Sequence, residues 1–399
     1  MSTKSMYRQV FVLATAQALF QIVIVAVMLV GGLIGSIIAD SPRWATLPIA
    51  TMFLGTAIMI FPASLWMAKI GRRAGFLIGA IFGLSGTLIA ALGVWQSSLL
   101  VLAMGTFLIG TYQAFAQFYR FAAAEAADLH FRSKAISFVL AGGVAAALIG
   151  PVLARFEGPL LSTKYLGTFL ILAMVTVLAI GTLMAFRPAP ATSTHGATAA
   201  ESSRSWLQMV TQPTYLVAMF AAASGQGIMI LGMTAAPIAM SSYGHELSST
   251  ALVIQLHVLG MFVPSFFTGA LIARFGVLQV MLAGAALLLG HILFALSGVS
   301  FISFAIALVL LGVGWNFLFI GGTTLLTTTY SQTERARAQA TNDLVIFIIG
   351  FISSFSSGAL LHATDWQMTN LFLIPWLILT VLAILWLRWK NRPLSAQRV

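Results

Sequence analysis

The sequence contains no cysteine and very few charged residues. Of its 399 residues only 7% are charged, with 9 acidic side chains against 20 Lys and Arg. The absence of cysteine excludes disulfide frameworks, thiolate metal sites and cysteine nucleophiles. Soluble domains carry about 25% charged residues, so this chain lacks the polar side chains that a water-facing surface needs. A soluble globular protein is therefore excluded.

Hydrophobic residues make up 60% of the chain and form long apolar runs. A run of about 20 apolar residues crosses a hydrocarbon core roughly 30 Å thick, and these runs are too long and too uniform for barrel strands. We therefore predict an all-α membrane protein with twelve transmembrane helices, numbered here as spans 1 to 12. The spans are predicted near residues 8–38, 45–68, 74–94, 98–121, 135–156, 165–186, 213–240, 250–272, 277–297, 301–328, 338–361 and 369–389. The first run has no small-residue cleavage site, so we interpret it as a retained helix rather than a signal peptide.

Lys and Arg are distributed unevenly among the predicted loops. All of them except Arg43, Arg155 and Lys164 fall on the side that holds both termini. Because cytoplasmic loops carry an excess of basic residues, we predict that both termini are cytoplasmic in a bacterial inner membrane. The net charge of +11 is thereby explained by membrane orientation, and nucleic-acid binding is not expected.

A segment rich in Pro, Ala, Ser and Thr, residues 187–205, lies between spans 6 and 7. It lacks apolar periodicity, which is typical of a flexible linker. We therefore divide the chain into an N-terminal six-helix bundle, residues 1–186, a cytoplasmic linker, residues 187–212, and a C-terminal six-helix bundle, residues 213–399.

The two halves repeat one another at an offset of roughly 203 to 205 residues. The offset pairs Gln21 with Gln226, Gly71 with Gly276, Tyr112 with Trp315 and Gln113 with Asn316. A consistent offset over most of the chain indicates a duplicated six-helix unit related by a pseudo-twofold axis. Internal symmetry of this kind underlies alternating-access transporters.

The loops after spans 2 and 8 carry a repeated motif. The first reads Ser-Leu-Trp-Met-Ala-Lys-Ile-Gly-Arg-Arg, residues 64–73, and the second reads Gly-Ala-Leu-Ile-Ala-Arg-Phe-Gly, residues 269–276. Both resemble the loop signature of the major facilitator superfamily, Gly-x-Leu-Ala-Asp-Arg-x-Gly-Arg-Arg. Ala68 and Ala273 replace its Asp. With twelve spans and a central linker, the whole chain resembles a secondary transporter of that superfamily.

The resemblance implies that spans 1, 4, 7 and 10 line a central cavity. Polar and aromatic residues concentrate on these four spans, and a polar side chain within lipid is expected to face the protein interior or a watery cavity. The candidate substrate-binding residues are Gln17, Gln21, Tyr112, Gln113, Gln117, Arg120, Gln226, Trp315, Asn316 and Thr323. The alternative is that the amides join helices to one another by hydrogen bonds. Likewise, Arg120 either meets an anionic group of the substrate or extends to the membrane interface.

Alanine at Gln113 or Asn316 is expected to weaken substrate binding without preventing folding. The adjacent aromatic residues, Tyr112 and Trp315, are expected to cover an apolar or planar ligand while the amides fix its orientation.

Coupling and gating residues are predicted separately. All nine acidic residues fall in loops or near span ends, so a deeply embedded carboxylate is not expected to couple transport to protons. His257 is the deepest titratable residue and our candidate for coupling, if protons are a partner, with Asp343 as the second choice. A buried, hydrogen-bonded His257 without a coupling role is the alternative.

A latch between the halves is expected at the cytoplasmic loops, where both signature Asp positions hold Ala. Basic residues there are Lys69, Arg72, Arg73 and Arg274. We expect Arg72 or Arg73 to face Asp343 or Glu334, and Arg274 to face Glu125 or Asp128. The alternative is that these charges only set the orientation in the membrane.

Motifs of enzymes are nearly absent from the sequence. His245-Glu246 lacks the second His of a zinc-protease helix, and no P-loop occurs. We therefore expect no cofactor, no metal and no enzyme activity. The predicted function is secondary transport of a small, neutral or amphipathic organic solute by a monomer within the lipid bilayer. The competing interpretation is a membrane-embedded enzyme that processes lipids or acyl groups, or a scaffold without transport activity.

Overall fold

The computed structural model describes residues 3–127, 131, 135, 138–139, 141–154, 163–187, 204–331 and 334–391, and within these ranges the regular secondary structure is helical. The first half contains α1 (Thr3–Ile38), α2 (Leu47–Ile70), α3 (Arg72–Trp95), α4 (Leu99–Ala116), α5 (Tyr119–Ala126), α6 (Gly142–Ala154) and α7 (Leu166–Met184). The second half contains α8 (Trp206–Val210), α9 (Pro213–Ser242), α10 (Leu247–Phe262), α11 (Ser265–Phe275), α12 (Val277–Leu296), α13 (Phe301–Leu326), α14 (Arg335–Ala363), α15 (Trp366–Leu371) and α16 (Leu373–Lys390).

The described residues contain 10 helical segments that are long and apolar enough to cross a membrane. Helices α10 and α11 together form an eleventh, bent by 42°. Helix α6 has 13 residues and covers part of predicted span 5, whose other residues lie outside the described ranges. The predicted all-α membrane fold is thus confirmed, and the twelve-helix count is consistent with these segments.

The repeated loop motif has the same backbone geometry in both halves. Gly71 ends α2 with a φ of 86°, and Gly276 ends α11 with a φ of 90°. Both glycines also precede the first residue of the following helix. A φ in this range strains any residue with a Cβ atom, so the two turns require glycine.

Spans 4 and 8 are each built from two helices. In span 4 the break lies at Gln117 and Phe118, which form a turn between α4 and α5. In span 8 it lies at Val263 and Pro264, between α10 and α11. Pro264 has no N–H, so it cannot continue the ladder of helical hydrogen bonds. Uninterrupted spans were predicted at both places, and the described structure differs there.

The predicted linker ends earlier than residue 212. Helix α8 begins after Ser205, whose side chain and that of Gln208 cap the helix reciprocally. The Trp206 Nε1 donates to Thr341 Oγ1 at 3.2 Å, and Gln212 Nε2 donates to the Thr329 carbonyl at 3.1 Å. From Arg204 onward the segment is therefore part of the second half rather than a free linker.

The two halves pack together on the side of the membrane opposite the linker. There Thr46 Oγ1 accepts from the Gly358 amide at 3.3 Å, and the rings of Trp44 and Phe355 meet with centroids 5.6 Å apart. Gly32 of α1 lies beside Ile238 of α9. On the linker side, by contrast, the halves are separated by the cavities described next.

Candidate functional site

A cavity of about 390 Å³ lies between the two halves. Helices α10, α11, α13 and α14 of the second half supply most of its wall, and Arg120, Phe121 and Ala141 come from the first half. The described residues that line it are Arg120, Phe121, Ala141, Phe262, Ser265, Phe266, Gly269, Trp315, Asn316, Phe319, Ile320, Thr323, Thr324, Leu326, Tyr330, Gln339, Asn342 and Asp343. A second cavity of about 610 Å³ adjoins it on the linker side and shares Phe121, Gln339 and Asp343.

Aromatic rings form one wall of the cavity. Trp315 and Phe319 are one helical turn apart on α13, so their rings stack, with centroids 4.9 Å apart and planes 19° apart. Phe262, the last residue of α10, meets Trp315 edge to face at 6.4 Å. The Trp315 Nε1 donates to Gln226 Oε1 at 2.8 Å, which fixes the indole orientation. This wall of the cavity is therefore aromatic and largely apolar.

Polar side chains form the linker-side end of the cavity. Arg120 lies at the start of α5 with its guanidinium 4.9 Å from the centre of the Phe121 ring. Asp343 lies on α14 and accepts from Asn342 Nδ2 at 3.2 Å. Gln339, one turn earlier on α14, donates to the Tyr330 hydroxyl at 2.9 Å. A basic and an acidic side chain, Arg120 and Asp343, therefore lie at the same end of a largely aromatic cavity.

Asn316 closes the bend in span 8. Its Nδ2 donates to the Met261 carbonyl and to Ser265 Oγ, and its Oδ1 accepts from Thr268 Oγ1, each at 2.7 Å. In an unbroken helix the Met261 carbonyl would accept from the Ser265 amide, so Asn316 replaces the bond that the Pro264 break removes. The Asn316 side chain is fully buried, and both its nitrogen and its oxygen form hydrogen bonds.

Gln113 bonds to the corresponding span of the first half. Its Oε1 accepts from Thr56 Oγ1 of α2 at 3.0 Å. At the offset of 205 residues set by Gly71 and Gly276, Thr56 corresponds to Met261. Both amides thus bond to equivalent points on the neighbouring span, which is the helix-joining alternative weighed in the sequence analysis.

The structure brings four of the ten candidate substrate residues to the cavity wall, namely Arg120, Trp315, Asn316 and Thr323. Gln226 lies behind Trp315 and accepts the hydrogen bond from its indole nitrogen. The remaining five lie away from the described cavity lining. Tyr112 and Gln113 are buried between helices, whereas Gln17, Gln21 and Gln117 are partly exposed and form no side-chain hydrogen bond with the described chain.

The two coupling candidates occupy different environments. His257 is fully buried inside the second half, where its Nδ1 bonds to the Leu308 carbonyl at 2.7 Å, and it does not line the described cavities. Asp343 lines both cavities. Of the two, only Asp343 is placed to meet a solute or the solvent that fills the cavity.

The candidate latch residues have partners other than those we expected. Arg72 forms a bidentate pair with Glu125 of its own half, with NH2 and Oε1 2.7 Å apart. Arg73 donates to the Met184 carbonyl at 2.7 Å, and Arg274 lies over the Phe275 ring. Lys69 is exposed, and Asp128 lies outside the described residues. The reason is geometric, because a cavity separates the two halves on this side in the present conformation.

Glu334 pairs with Arg204 instead of with Arg72 or Arg73. It accepts from the amide, Nε and NH2 of Arg204 at 3.0, 2.9 and 2.7 Å, and from the Ser331 amide at 2.9 Å. The hydrogen bond from the Arg204 side chain, followed by that from the Ser331 amide, lowers the pKa of Glu334 from 4.5 to about 2. The same pairing raises the pKa of Arg204.

Sequence reasoning missed most of the cavity wall. Phe121, Phe262, Phe319, Tyr330, Gln339 and Asn342 were not among the candidates. Phe262 and Phe319 lie in runs that are apolar on every side, so periodicity does not single them out. Two signals were available, since Phe319 follows Trp315 by one helical turn and Pro264 marks the break beside Phe262.

The fold and this site define a helical integral membrane protein with a cavity between two homologous halves. The sequence model of the Major Facilitator Superfamily matches residues 219–398. The riboflavin transporter RfnT of Brucella anthropi is 36% identical over 391 residues, which cover 98% of each chain. The chain therefore belongs to the Major Facilitator Superfamily, and its relatives are transporters rather than enzymes.

Solved structures share the same fold. A D-xylose-proton symporter matches with a TM-score of 0.74 at 16% identity, covering 98% of this chain and 99% of that one. The nucleoside transporter NupG matches with a TM-score of 0.71 at 13% identity, covering 96% of this chain and 100% of that one. At these identities the likeness concerns the fold alone.

Proposed function

We propose that this protein is a secondary transporter that carries riboflavin, or a closely related flavin, across a bacterial inner membrane by alternating access. The transport class follows from the family, and the substrate is suggested by the name of the 36% identical relative. Riboflavin is a planar, uncharged three-ring compound with a polyol chain. It fits the neutral or amphipathic solute that the sequence predicts.

The observation that carries this proposal is the stacked pair Trp315 and Phe319 in the cavity wall. Aromatic rings attract other flat rings through offset stacking. Small-molecule sites have volumes of roughly 300 to 1,000 Å³, and this cavity has about 390 Å³. From Trp315 to Thr323 the wall runs about 12 Å along α13, at 1.5 Å per residue, which suits a fused three-ring system.

Alternating access is supported by the asymmetry of the contacts between the halves. They touch at Thr46 and Gly358 on one side and are separated by two cavities on the other. We assign the separated side to the cytoplasm, together with both termini, and treat residues 1–186 and 213–399 as the two moving units. Arg72 and Asp343 line the second cavity from opposite halves, so closing it would bring these candidate latch residues together.

Uptake of riboflavin by proteoliposomes that contain the purified protein tests the proposal. We expect saturable uptake that unlabelled riboflavin inhibits and D-xylose does not. The Phe319→Ala variant should lose at least about 80% of uptake at low substrate concentration, because stacking on one aromatic side chain contributes about 1 to 3 kcal/mol. Phe372→Ala is the matched control, since Phe372 is 53% exposed on the outside of the second half.

Absence of riboflavin uptake and of counterflow, from protein that remains monodisperse, would reject the proposed substrate. The coupling candidates are separated in the same vesicles by an imposed pH gradient. If transport is driven by protons, we expect the pH gradient to stimulate uptake by wild type and His257→Gln but not by Asp343→Asn. The reason is that Asp343 lines the cavity and His257 does not.

A further inference from the structure

Three polar groups at the linker-side end of the cavity have hydrogen-bonding capacity that the protein leaves unused. Arg120 Nε and Asn342 Oδ1 are buried and have no partner in the described chain. The Asp343 carboxyl group accepts from Asn342 Nδ2, and its second oxygen has no donor among the described residues. Arg120 and Asp343 both line the cavity, so the rest of the Arg120 guanidinium and the second oxygen of Asp343 are available to a ligand there.

Arg120 and Asp343 bring opposite charges to this end of the cavity from the two halves. They interact electrostatically, yet they form no ion pair in the described structure. An anionic ligand would be repelled by Asp343 and a cationic one by Arg120. The pair therefore favours a ligand without net charge that offers both a hydrogen-bond donor and an acceptor.

The polar end and the aromatic wall are placed to contact one flat molecule at the same time. Helix α13 carries Trp315 and Phe319 near mid-membrane and ends on the linker side, where Tyr330 and Gln339 line the cavity. A ring system stacked on the wall would present an edge to Arg120 and Asp343. That edge needs an N–H group for the carboxylate and a carbonyl group for the guanidinium.

We propose that this polar end recognises an imide edge, the coplanar carbonyl, N–H and carbonyl groups of a cyclic imide. Asp343 accepts the imide N–H, and Arg120 donates to an adjacent carbonyl oxygen. This inference rests on the flavin transport proposed above, because the flavin ring carries such an edge opposite its dimethylbenzene end. The substrate class is planar, uncharged heterocycles with an unsubstituted imide, and N-alkylated imides are excluded.

Binding of 3-methylriboflavin, in which a methyl group replaces the imide hydrogen, tests the inference. Affinities are measured with the full-length purified protein by quenching of flavin fluorescence. We expect wild type to bind riboflavin at least about tenfold more tightly than 3-methylriboflavin, because a site built to bond an N–H group rejects an analogue without it. In Asp343→Ala the ratio of the two affinities should fall to within about twofold of one.

Two controls accompany this measurement. Asp40→Ala removes an exposed carboxylate at the end of α1 and should leave the affinity ratio unchanged. A riboflavin analogue without the two benzene-ring methyl groups should lose the same affinity in wild type and in Asp343→Ala, because those groups lie at the far end of the ring.

The outcomes separate this inference from the proposed function. If wild type binds riboflavin and 3-methylriboflavin equally, the imide edge is not recognised, and this conclusion needs no variant to fold. If wild type discriminates and folded Asp343→Ala discriminates equally, Asp343 is not the acceptor and the inference is overturned, while flavin transport stands. If wild type binds no flavin, the proposed substrate itself is rejected.

Discussion

Tyr112 and Trp315 occupy equivalent positions in the two halves but point into different surroundings. Tyr112 is fully buried within the first half, where its ring meets Phe20 edge to face at 5.1 Å. Trp315 lines the cavity and stacks on Phe319. The repeated fold therefore does not by itself decide which aromatic residue reaches a ligand.

The neighbouring helix explains the difference. In the first half Gly83 of α3 leaves a slot that the Tyr112 ring fills. The equivalent position in α12 is Leu288, which packs where a Cβ on Gly314 of α13 would lie, 2.8 Å from that atom. The slot beside α13 is thus filled by Leu288, and the adjacent Trp315 ring lies toward the cavity. The Gly-to-Leu difference in the neighbouring helix is therefore our explanation for the direction of the Trp315 side chain.

The two halves contribute unequally to the cavity wall. Nearly all described aromatic and amide groups of the cavity come from the second half, whereas the first half supplies Arg120 and Phe121. In the first half, close helix contacts at Gly79 and Gly83 enclose Phe115 and Tyr112. The first half is a tightly packed frame, and the second half carries most of the wall that would contact a solute.

The largest effect is expected from Gly83→Leu, which gives α3 the side chain that α12 has. A Cβ at Gly83 would overlap the Tyr112 ring, and the enclosed ring has no free space to enter. Overpacking a closed core destabilises by about 1 to 3 kcal/mol, and we expect the upper end of that range. Thermal unfolding of the detergent-solubilised protein, followed by size-exclusion chromatography, measures the loss.

Gly181→Leu is the matched control for that substitution. A Cβ at Gly181 of α7 meets nothing within 4 Å, so the same change should leave the melting temperature within a few degrees of wild type. If Gly83→Leu is equally harmless, Tyr112 is free to move, and the packing explanation for the direction of Trp315 fails.

The next largest effect is a difference in stability between substitutions of the two equivalent amides, Asn316 and Gln113. Asn316→Leu leaves the Met261 carbonyl, Ser265 and Thr268 without their partner, whereas Gln113→Leu removes one bond from Thr56. At about 1 kcal/mol for each bond, we expect losses in unfolding free energy of about 3 and about 1 kcal/mol. Thermal melting of both variants measures them. Equal losses would show that Asn316 does not hold the bend of span 8.

This expectation adds a loss of stability to the one drawn from the sequence, in which alanine at either amide weakens substrate binding without preventing folding. The amide types and their equivalence were readable from the offset, because duplicated helices keep their register. Their hydrogen-bond partners were not readable, because the sequence does not show that the bend at Pro264 leaves the Met261 carbonyl free to accept from Asn316. A polar residue in a span signals an interior position without telling a helix contact from a ligand contact.

A smaller effect, on riboflavin binding, is expected from substitutions of the two equivalent aromatic residues. Trp315→Phe removes the Nε1 bond to Gln226 and part of the stacking surface, so riboflavin affinity should fall about fivefold. Tyr112→Phe removes a buried hydroxyl without a well-formed hydrogen bond, so it should leave the affinity unchanged. Flavin fluorescence titration measures both. A similar loss in the two variants would mean that both halves contact the ring.

Much of the fold was predictable from the sequence, and less of the site. Length and apolarity predict the spans because the bilayer fixes both, and Gly71 and Gly276 mark the repeated loops because their turns need a positive φ. Arg120 and Asp343 were identified for unrelated roles, although they share one cavity. Their meeting depends on how the halves are arranged, which the pattern within each span does not contain.

The smallest effect is predicted for substitutions of the linker-side carboxylates, Glu125 in the first half and Glu334 in the second. Glu125 pairs with Arg72 at an exposed position, and such pairs contribute about 0.2 to 1 kcal/mol. Glu334 is enclosed by Arg204 and Ser331, and its pKa is lowered from 4.5 to about 2. A lowered pKa in the folded state stabilises the protein fully above pH 4.5, and this stabilisation is lost as the pH falls toward 2. Glu334→Gln should therefore melt below wild type near neutral pH, with the difference narrowing under acid. Glu125→Gln should stay close to wild type throughout, and a Glu334→Gln difference that does not change with pH would show that the charge of Glu334 adds nothing to its hydrogen bonds.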